Sequence, residues 1–263
     1  MATNNAINNT LQSPFNVGAT SVTSTGTQLN LLNALTAVPI DKINVQTFAA
    51  SGTYTPTAGM VFIYAELIGG GGGSGGVTSG AGLISAAAGG GGAAPLATRI
   101  FTAAQVGASA TVTIGAGGAA ATAGGNTGGT GGTTSLALTG SGTITISSSG
   151  GLGGVGDSTA QTASAFGGAG GSCTNADVAA RGASGNAGLH SAILFATGGK
   201  GADSAWGMGG LSNSTANGSG SGNAGSGFGS GASGAFSAQA GVVNVAGTAG
   251  QIGYMRITEY ISS

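Results

Sequence analysis

The chain has 263 residues, of which 59 are glycine and 4 are proline, and only 4% are charged. With no sustained Gly-X-Y repeat it is not a collagen, and a net charge of −1 with a mean hydropathy of +0.32 does not fit charge-driven disorder. Five Lys and Arg, spread along the chain, are too few and too dispersed for a nucleic-acid interface.

Residues 1–46 form a glycine-poor N-terminal segment rich in Asn and Thr. Its start, MATNNAINNT, has neither a basic nor an apolar signal-peptide region, so no secretory signal is expected. The run TQLNLLNALTAVPI (27–40) carries Leu29, Leu31, Leu32 and Leu35, a spacing that suits one or two helical turns or a short strand against a partner. It reads as a docking or oligomerising segment. Residues 47–263 form the glycine-rich body.

From Val45 the pattern becomes β, and an all-β fold is expected. The stretch 45–69 reads as strand, turn, strand, with Pro56 and Gly59 in the turn. Met60–Ile68 is apolar on both faces and is expected to be buried on both. It is far short of the roughly 20 residues that span a bilayer, and no membrane insertion is expected. ATVTIG (110–115) reads as a strand, and SLALT (135–139) and TITIS (143–147) as a hairpin across Gly140-Ser141-Gly142. VVNVA (242–246) and QIGYMRITEYI (251–261) follow. In the last run Ile252, Tyr254, Arg256, Thr258 and Tyr260 share one face, and Gly253, Met255, Ile257, Glu259 and Ile261 the other. The first and last strands are expected to pair and frame the body.

Between these strands a GGxGG phrase recurs: Gly72, Gly73, Gly75 and Gly76; Gly128, Gly129, Gly131 and Gly132; Gly150, Gly151, Gly153 and Gly154; Gly167, Gly168, Gly170 and Gly171. Polyproline-II backbone has three residues per turn and no internal hydrogen bonds, so its amides must bond sideways. Glycines on a three-residue stride would clear two of its three faces for neighbouring backbones. The residue between them (Ser74, Thr130, Leu152, Ala169) would point outward or into a small apolar layer. The competing reading is plain glycine-rich loops between β-strands. The tract 218–234 mixes strides of two and three and need not follow one rule.

No catalytic constellation is present. GGKGADS (198–204) lacks the Walker spacing, G-x-S-x-G is missing from a nucleophile-elbow context, and GxGxxG carries no information in this composition. No enzyme activity, cofactor or metal is expected; Asp157, Asp177 and Asp203 are far apart in sequence. The lone Cys173 reads as a small buried filler and His190 as a surface or loop residue. Large side chains are rare, with 5% aromatic, and those isolated within Gly/Ser/Ala stretches fall in the second half. Phe166, Phe195 and the later phenylalanines read as plugs between layers. Trp206, in DSAWGMGG, is the leading contact candidate, with Met208, His190, Arg181, Lys200 and Phe228 beside it as potential receptor contacts.

FAASGTYTPTAGMVFIYAELIGGGGGSGG, TVTIGAGGAAATAGGNTGGTGGTTSL and the closing GQIGYMRITEYI together resemble the glycine-rich domain of bacteriophage tail fibres. The phrase GATSVTSTGTQLNLLNA is similar to segments of phage fibre and virion proteins. The body is similar in kind to the tip adhesins of T-even-like long tail fibres. The resemblance implies polyglycine-type strands and joining loops that recognise a host surface polysaccharide or outer-membrane protein. It also implies a homotrimer and a place in the virion after assembly in the host cytoplasm. The chain opens with its own N-terminal segment, so residues 1–46 are expected to meet other tail or baseplate proteins. An ice-binding or cell-surface structural protein is the alternative, and a glycan-degrading tail spike the third.

Overall fold

A computed structural model describes residues 15–17, 20–22, 40–80, 85–158, 165–191, 195–239 and 241–262. The leucine-bearing run 27–40 lies outside them except for Ile40; of the preceding segment, Phe15–Val17 and Thr20–Val22 pair as antiparallel strands.

One end of the molecule is a β-sandwich. Its first sheet is antiparallel and five-stranded, in the order Val178–Ala179, Leu96–Thr102, Met60–Ile68, Tyr254–Ile261, Lys42–Phe48. The second runs Cys173–Thr174, Thr145–Ser148, Thr134–Leu138, Ala110–Thr113, Gly52–Tyr54. Tyr54, Ile63, Leu67, Phe101, Val112, Leu136, Ile146, Met255 and Ile257 fill the layer between them. The expected pairing of first and last strands is present, with Arg256 opposite Thr47 and Ile261 opposite Lys42. Alternation along Tyr254–Ile261 also holds, because Met255, Ile257, Glu259 and Ile261 are buried. The hairpin 134–148 forms as read, with Gly142 in the left-handed region that its turn requires.

Two readings need correction. Gly52–Tyr54 crosses into the second sheet, so the 45–69 stretch is not a simple hairpin. Met60–Ile68 is buried on both faces only in its second half; Val61 is the extra residue of a bulge opposite Tyr260 and Ile261 and is exposed, and Phe62 is half-buried on the outer face. One short helix, Ala103–Val106, joins two strands and was not foreseen.

The strands of the sandwich run straight into the glycine tracts, and the tracts answer why glycine recurs on a stride of three. They are extended rods bonded side by side. Rod 69–76 donates its amides in strict rotation: Gly70 to Gly132 O, Gly71 to Gln251 O, Gly72 to Gly92 O, Gly73 to Gly129 O, Ser74 to Thr248 O, Gly75 to Gly89 O. Its carbonyls accept in rotation too, from Gly151, Gly118, Ala232, Gly154, Ala121 and Ala235. Each partner returns after three residues, the period of a polyproline-II helix. Rod 69–76 therefore donates to 127–133, 246–253 and 88–95, and accepts from 149–156, 114–121 and 229–235. The surrounding rods bond to one another, as in Gly129 N to Ala119 O, Gly128 N to Gly154 O, Gly89 N to Val155 O, Gly91 N to Ala232 O, Gln251 N to Ser230 O and Gly250 N to Gly118 O. This closes a hexagon. Rods 88–95 and 229–235 are ringed in the same way, with 165–172, 181–188, 198–203, 207–213 and 220–226 completing the bundle. Backbones this close leave no room for a Cβ: one added at Gly72 would overlap Leu152 O, and one at Gly118 would meet Gly73 N at 2.6 Å. Glycine's entropic cost is offset by lateral hydrogen bonds, each worth about 0.5–1.5 kcal/mol net.

Enclosure also sorts the sequences. The ringed rods read GGGGGSGG, AGGGGAAP and GSGASGA, small at every position and buried throughout. Outer rods keep one free face, so every third residue escapes the rule: Thr127, Thr130 and Thr133, or Leu152 and Val155, are exposed. Thr130 and Leu152 thus point outward as expected, and Ala169 is half-buried, but Ser74 does not. Its rod is enclosed, and its Oγ accepts the Thr248 amide at 2.9 Å. Ser74→Ala is expected to cost about 1–2 kcal/mol in urea unfolding, because that amide loses a partner. The irregular tract 218–234 resolves into an outer rod, a turn with Gly227 and Gly229 at positive φ, and an enclosed rod.

At about 3.1 Å per residue, an eight-residue rod is roughly 25 Å long. Successive rods run away from the sandwich and back. At the far end lie short three-stranded sheets, built from Asp157–Ser158, Val77–Ser79 and Val243–Val245; Ser219–Gly220, Phe236–Ser237 and Ala86–Ala87; and Leu189–Ser191, Phe195–Thr197 and Ser214–Thr215.

Candidate functional site

The candidate contact residues do not converge on one patch. Trp206 and Phe228 come together at the junction of rods and sandwich, where Phe228 N donates to Trp206 O at 3.2 Å and Ser204 Oγ donates to Phe228 O at 2.5 Å. Gly227 takes φ +71° between them, leaving no space for a Cβ against Trp206 O. Tyr254, the first residue of the closing strand, slides its ring under both. It stacks on Phe228 at 4.2 Å and 16°, and meets Trp206 edge-on at 5.6 Å. The Arg256 guanidinium lies 5.8 Å from the Trp206 ring centre, within cation–π range. Its Nε and Nη2 both donate to Glu66 Oε2, at 2.7 and 2.6 Å. Trp206, Phe228, Tyr254 and Arg256 line an open cavity of about 300 Å³. Met208, two residues on, lines a neighbouring hollow of about 390 Å³ with Leu211, Asn223, Ala224 and Ser226.

Lys200 and Arg181 stand apart from this cluster. Lys200 Nζ donates to Asp203 Oδ2 at 2.6 Å, and Asp203 Oδ1 also accepts the Gly209 amide. The Lys200 hydrogen bond, with help from Gly209, holds the Asp203 carboxyl below the usual range. Arg181 is exposed at the start of its outer rod. His190 is at the opposite end of the molecule and is not a surface residue: its side chain is 11% exposed. Its Nε2 lies 3.3 Å from Asp157 Oδ2, attracted but out of line for a hydrogen bond. Asp157 caps the sheet at the rod ends by accepting the Ala87 amide at 2.8 Å. Burial lifts its carboxyl above the usual range, and the Ala87 amide and His190 offset this only in part.

The phenylalanines divide as well. Phe236 fills a gap among Ala87, Ala196 and Ala238 as a plug should. Phe166 and Phe195 do not; they are 74% and 47% exposed, facing outward with no further layer over them among the described residues. Leu189 and Val242 are exposed at the same end. Cys173 is half-buried against the sandwich core, and burial raises its thiol. The three aspartates weighed as ion ligands pair singly, Asp157 with His190, Asp177 with Arg99 and Asp203 with Lys200.

A family model described as a glycine-rich domain matches residues 45–260, which include all the rods and nearly all of the sandwich. The chain belongs to the glycine-rich domain family. No curated protein matches the sequence. In this glycine-rich domain, sequence reasoning missed Tyr254 and Arg256 as companions of Trp206. The signal was present, because alternation places Tyr254 and Arg256 on one face of the last strand; what it could not give was the turn that carries Trp206 onto that face.

Proposed function

We propose that the chain is a non-enzymatic virion component, a bacteriophage tail fibre or tip protein that adheres to the host bacterial surface. The observation that carries this reading is polarity. The chain enters the sandwich at Lys42, opposite Ile261 and so at the end remote from the rods, while the rod-joining loops gather some 25 Å or more beyond it. A point of entry for residues 1–46 at one end and rod-joining loops at the other, held apart by a laterally bonded and nearly uncharged spacer, is what an adhesin needs. The outward residues also favour recognition over ice binding: threonines on 127–133, Leu152 and Val155 on the next rod, and Phe166 on another make no uniform array.

Residues 1–46 would engage other tail proteins, and the chain would assemble as a homotrimer. The outer face of the first sheet, with Ile43, Val45 and Ile100 exposed and Phe62 stacked on Tyr260, supports self-association. Light scattering is expected to give about 72 kDa, three times 24.1 kDa.

The deciding experiment mixes purified protein with candidate host cells. Selective adsorption is expected, reduced at least about tenfold by Leu189→Asp with Val242→Asp at unchanged Tm. Freezing-point hysteresis without adsorption would favour the ice-binding alternative, and release of reducing sugar the glycan-degrading one.

A further inference from the structure

The cavity at the junction of rods and sandwich is far from the loops that carry the adhesive reading, and its chemistry points to a ligand of its own. Three of its four lining residues are aromatic, and two are locked by ring contacts to the third. The rings are therefore preorganised, which spares a ligand the cost of ordering them. Among the described residues Trp206 Nε1, Tyr254 Oη and Arg256 Nη1 make no hydrogen bond, while Arg256 uses Nε and Nη2 on Glu66. Ring faces bordered by unengaged donors match a pyranose, which offers an apolar C–H face and a rim of hydroxyl acceptors. Glu66 cancels the charge of Arg256, so an anionic ligand gains little here. At about 300 Å³ the space is at the small end of ligand sites.

We infer that Trp206, Phe228, Tyr254 and Arg256 form a lateral subsite for an uncharged hexose unit. The inference rests on the adhesive reading for its biological sense, but not for its test. Trp206 is the chain's one tryptophan, so indole emission, excited on the red side of tyrosine absorption, reports on this cavity alone. The full-length protein is titrated with the methyl glycosides of glucose, galactose, mannose and N-acetylglucosamine, and with phenol as a planar aromatic control. At least one glycoside is expected to shift Trp206 emission saturably. Tyr254→Phe, which keeps the stacked ring, is expected to weaken that glycoside about fivefold or more without moving Tm. A purely structural role for Tyr254 would leave the titration unchanged. If none of the glycosides shifts the emission, or only phenol does, the saccharide subsite is wrong. Cell adsorption measured on the same protein separates the two ideas: adsorption without glycoside binding overturns the subsite and spares the adhesin, and the converse result does the reverse.

Discussion

A Gly73→Val variant is expected to lose the cooperative thermal transition of the parent protein, while Thr130→Val melts within about 1 °C of it. The two positions are both in GGxGG phrases, and only their surroundings differ. A Cβ at Gly73 would overlap Ala119 O and lie 2.9 Å from Gly118 O, both backbone atoms of a rod that is itself bonded on either side. The carbonyl cannot turn away without breaking the lateral ladder, in which Gly73 donates to Gly129 and accepts from Gly154. Overpacking of about 1–3 kcal/mol combines with two or three lost hydrogen bonds, for a total of about 3–6 kcal/mol against a typical stability of about 5–15. Gly129→Val should follow with a smaller loss, since its outer rod has one free face on which to yield; Ala119 N would be 2.7 Å from the new Cβ. Gly52→Ala is the control, because nothing lies within 4 Å of its Cβ position. Equal melting temperatures for Gly73→Val and Thr130→Val would return the tracts to ordinary loops.

The second large effect concerns a carboxylate buried in the sandwich. Glu259 is fully buried and accepts Tyr54 Oη at 2.7 Å, Thr57 N at 2.9 Å, Thr57 Oγ1 at 2.6 Å and Asn44 Nδ2 at 2.6 Å. It ties the first strand, the crossover and the last strand at one point. Removing it by Glu259→Ala strands these donors together and is expected to cost about 3–5 kcal/mol. The pH profile gives an independent reading. Burial pushes the Glu259 carboxyl up, but hydrogen bonds from Thr57, Tyr54 and Asn44 outweigh it and hold the carboxyl below its ordinary 4.5. A depressed carboxyl stabilises the fold fully above its unfolded value, so this contribution fades as pH falls below about 4.5. Burial, and then the Glu259 carboxylate beside it, drive the Tyr54 phenol above its ordinary 10.0. A raised phenol stabilises the fold below its unfolded value, so this contribution fades as pH climbs past about 10. Urea midpoints across pH 3–11 should fall at both ends, and Glu259→Gln should flatten the acid limb and soften the alkaline one, where burial of Tyr54 persists. An unchanged profile in that variant would remove Glu259 from its proposed place in acid and alkaline unfolding.

Much of this architecture was legible because two periods govern it. A period of two identified Tyr254–Ile261 and its faces; a period of three identified four rods, three of them outer and one, 69–76, enclosed. Enclosed rods 88–95 and 229–235 lack the phrase for a reason equally present in the sequence, since a rod with neighbours all round can carry nothing larger than Ser or Ala except at its ends. Which rods those were needed the bundle itself. The candidate site was less legible. Trp206 and Phe228 meet through a turn at Gly227, and Tyr254 joins them from a strand far along the chain. His190 gave no hint of its partner Asp157, because a lone histidine in a neutral sequence has no pattern to read.

The enclosed rod 229–235 is made only after most of the rods it bonds to, 69–76 and 88–95 among them. Until it arrives, Gly72 and Gly75 have no partner for their carbonyls, and strand Met60–Ile68 waits longer still for Tyr254–Ile261. A nascent chain of this kind cannot settle piece by piece; it must carry an apolar strand and a comb of water-bonded amides until residues 229–261 have been made, and only then close. Prematurely terminated products would thus be insoluble or degraded, and refolding from denaturant slow, whatever surface the finished protein meets.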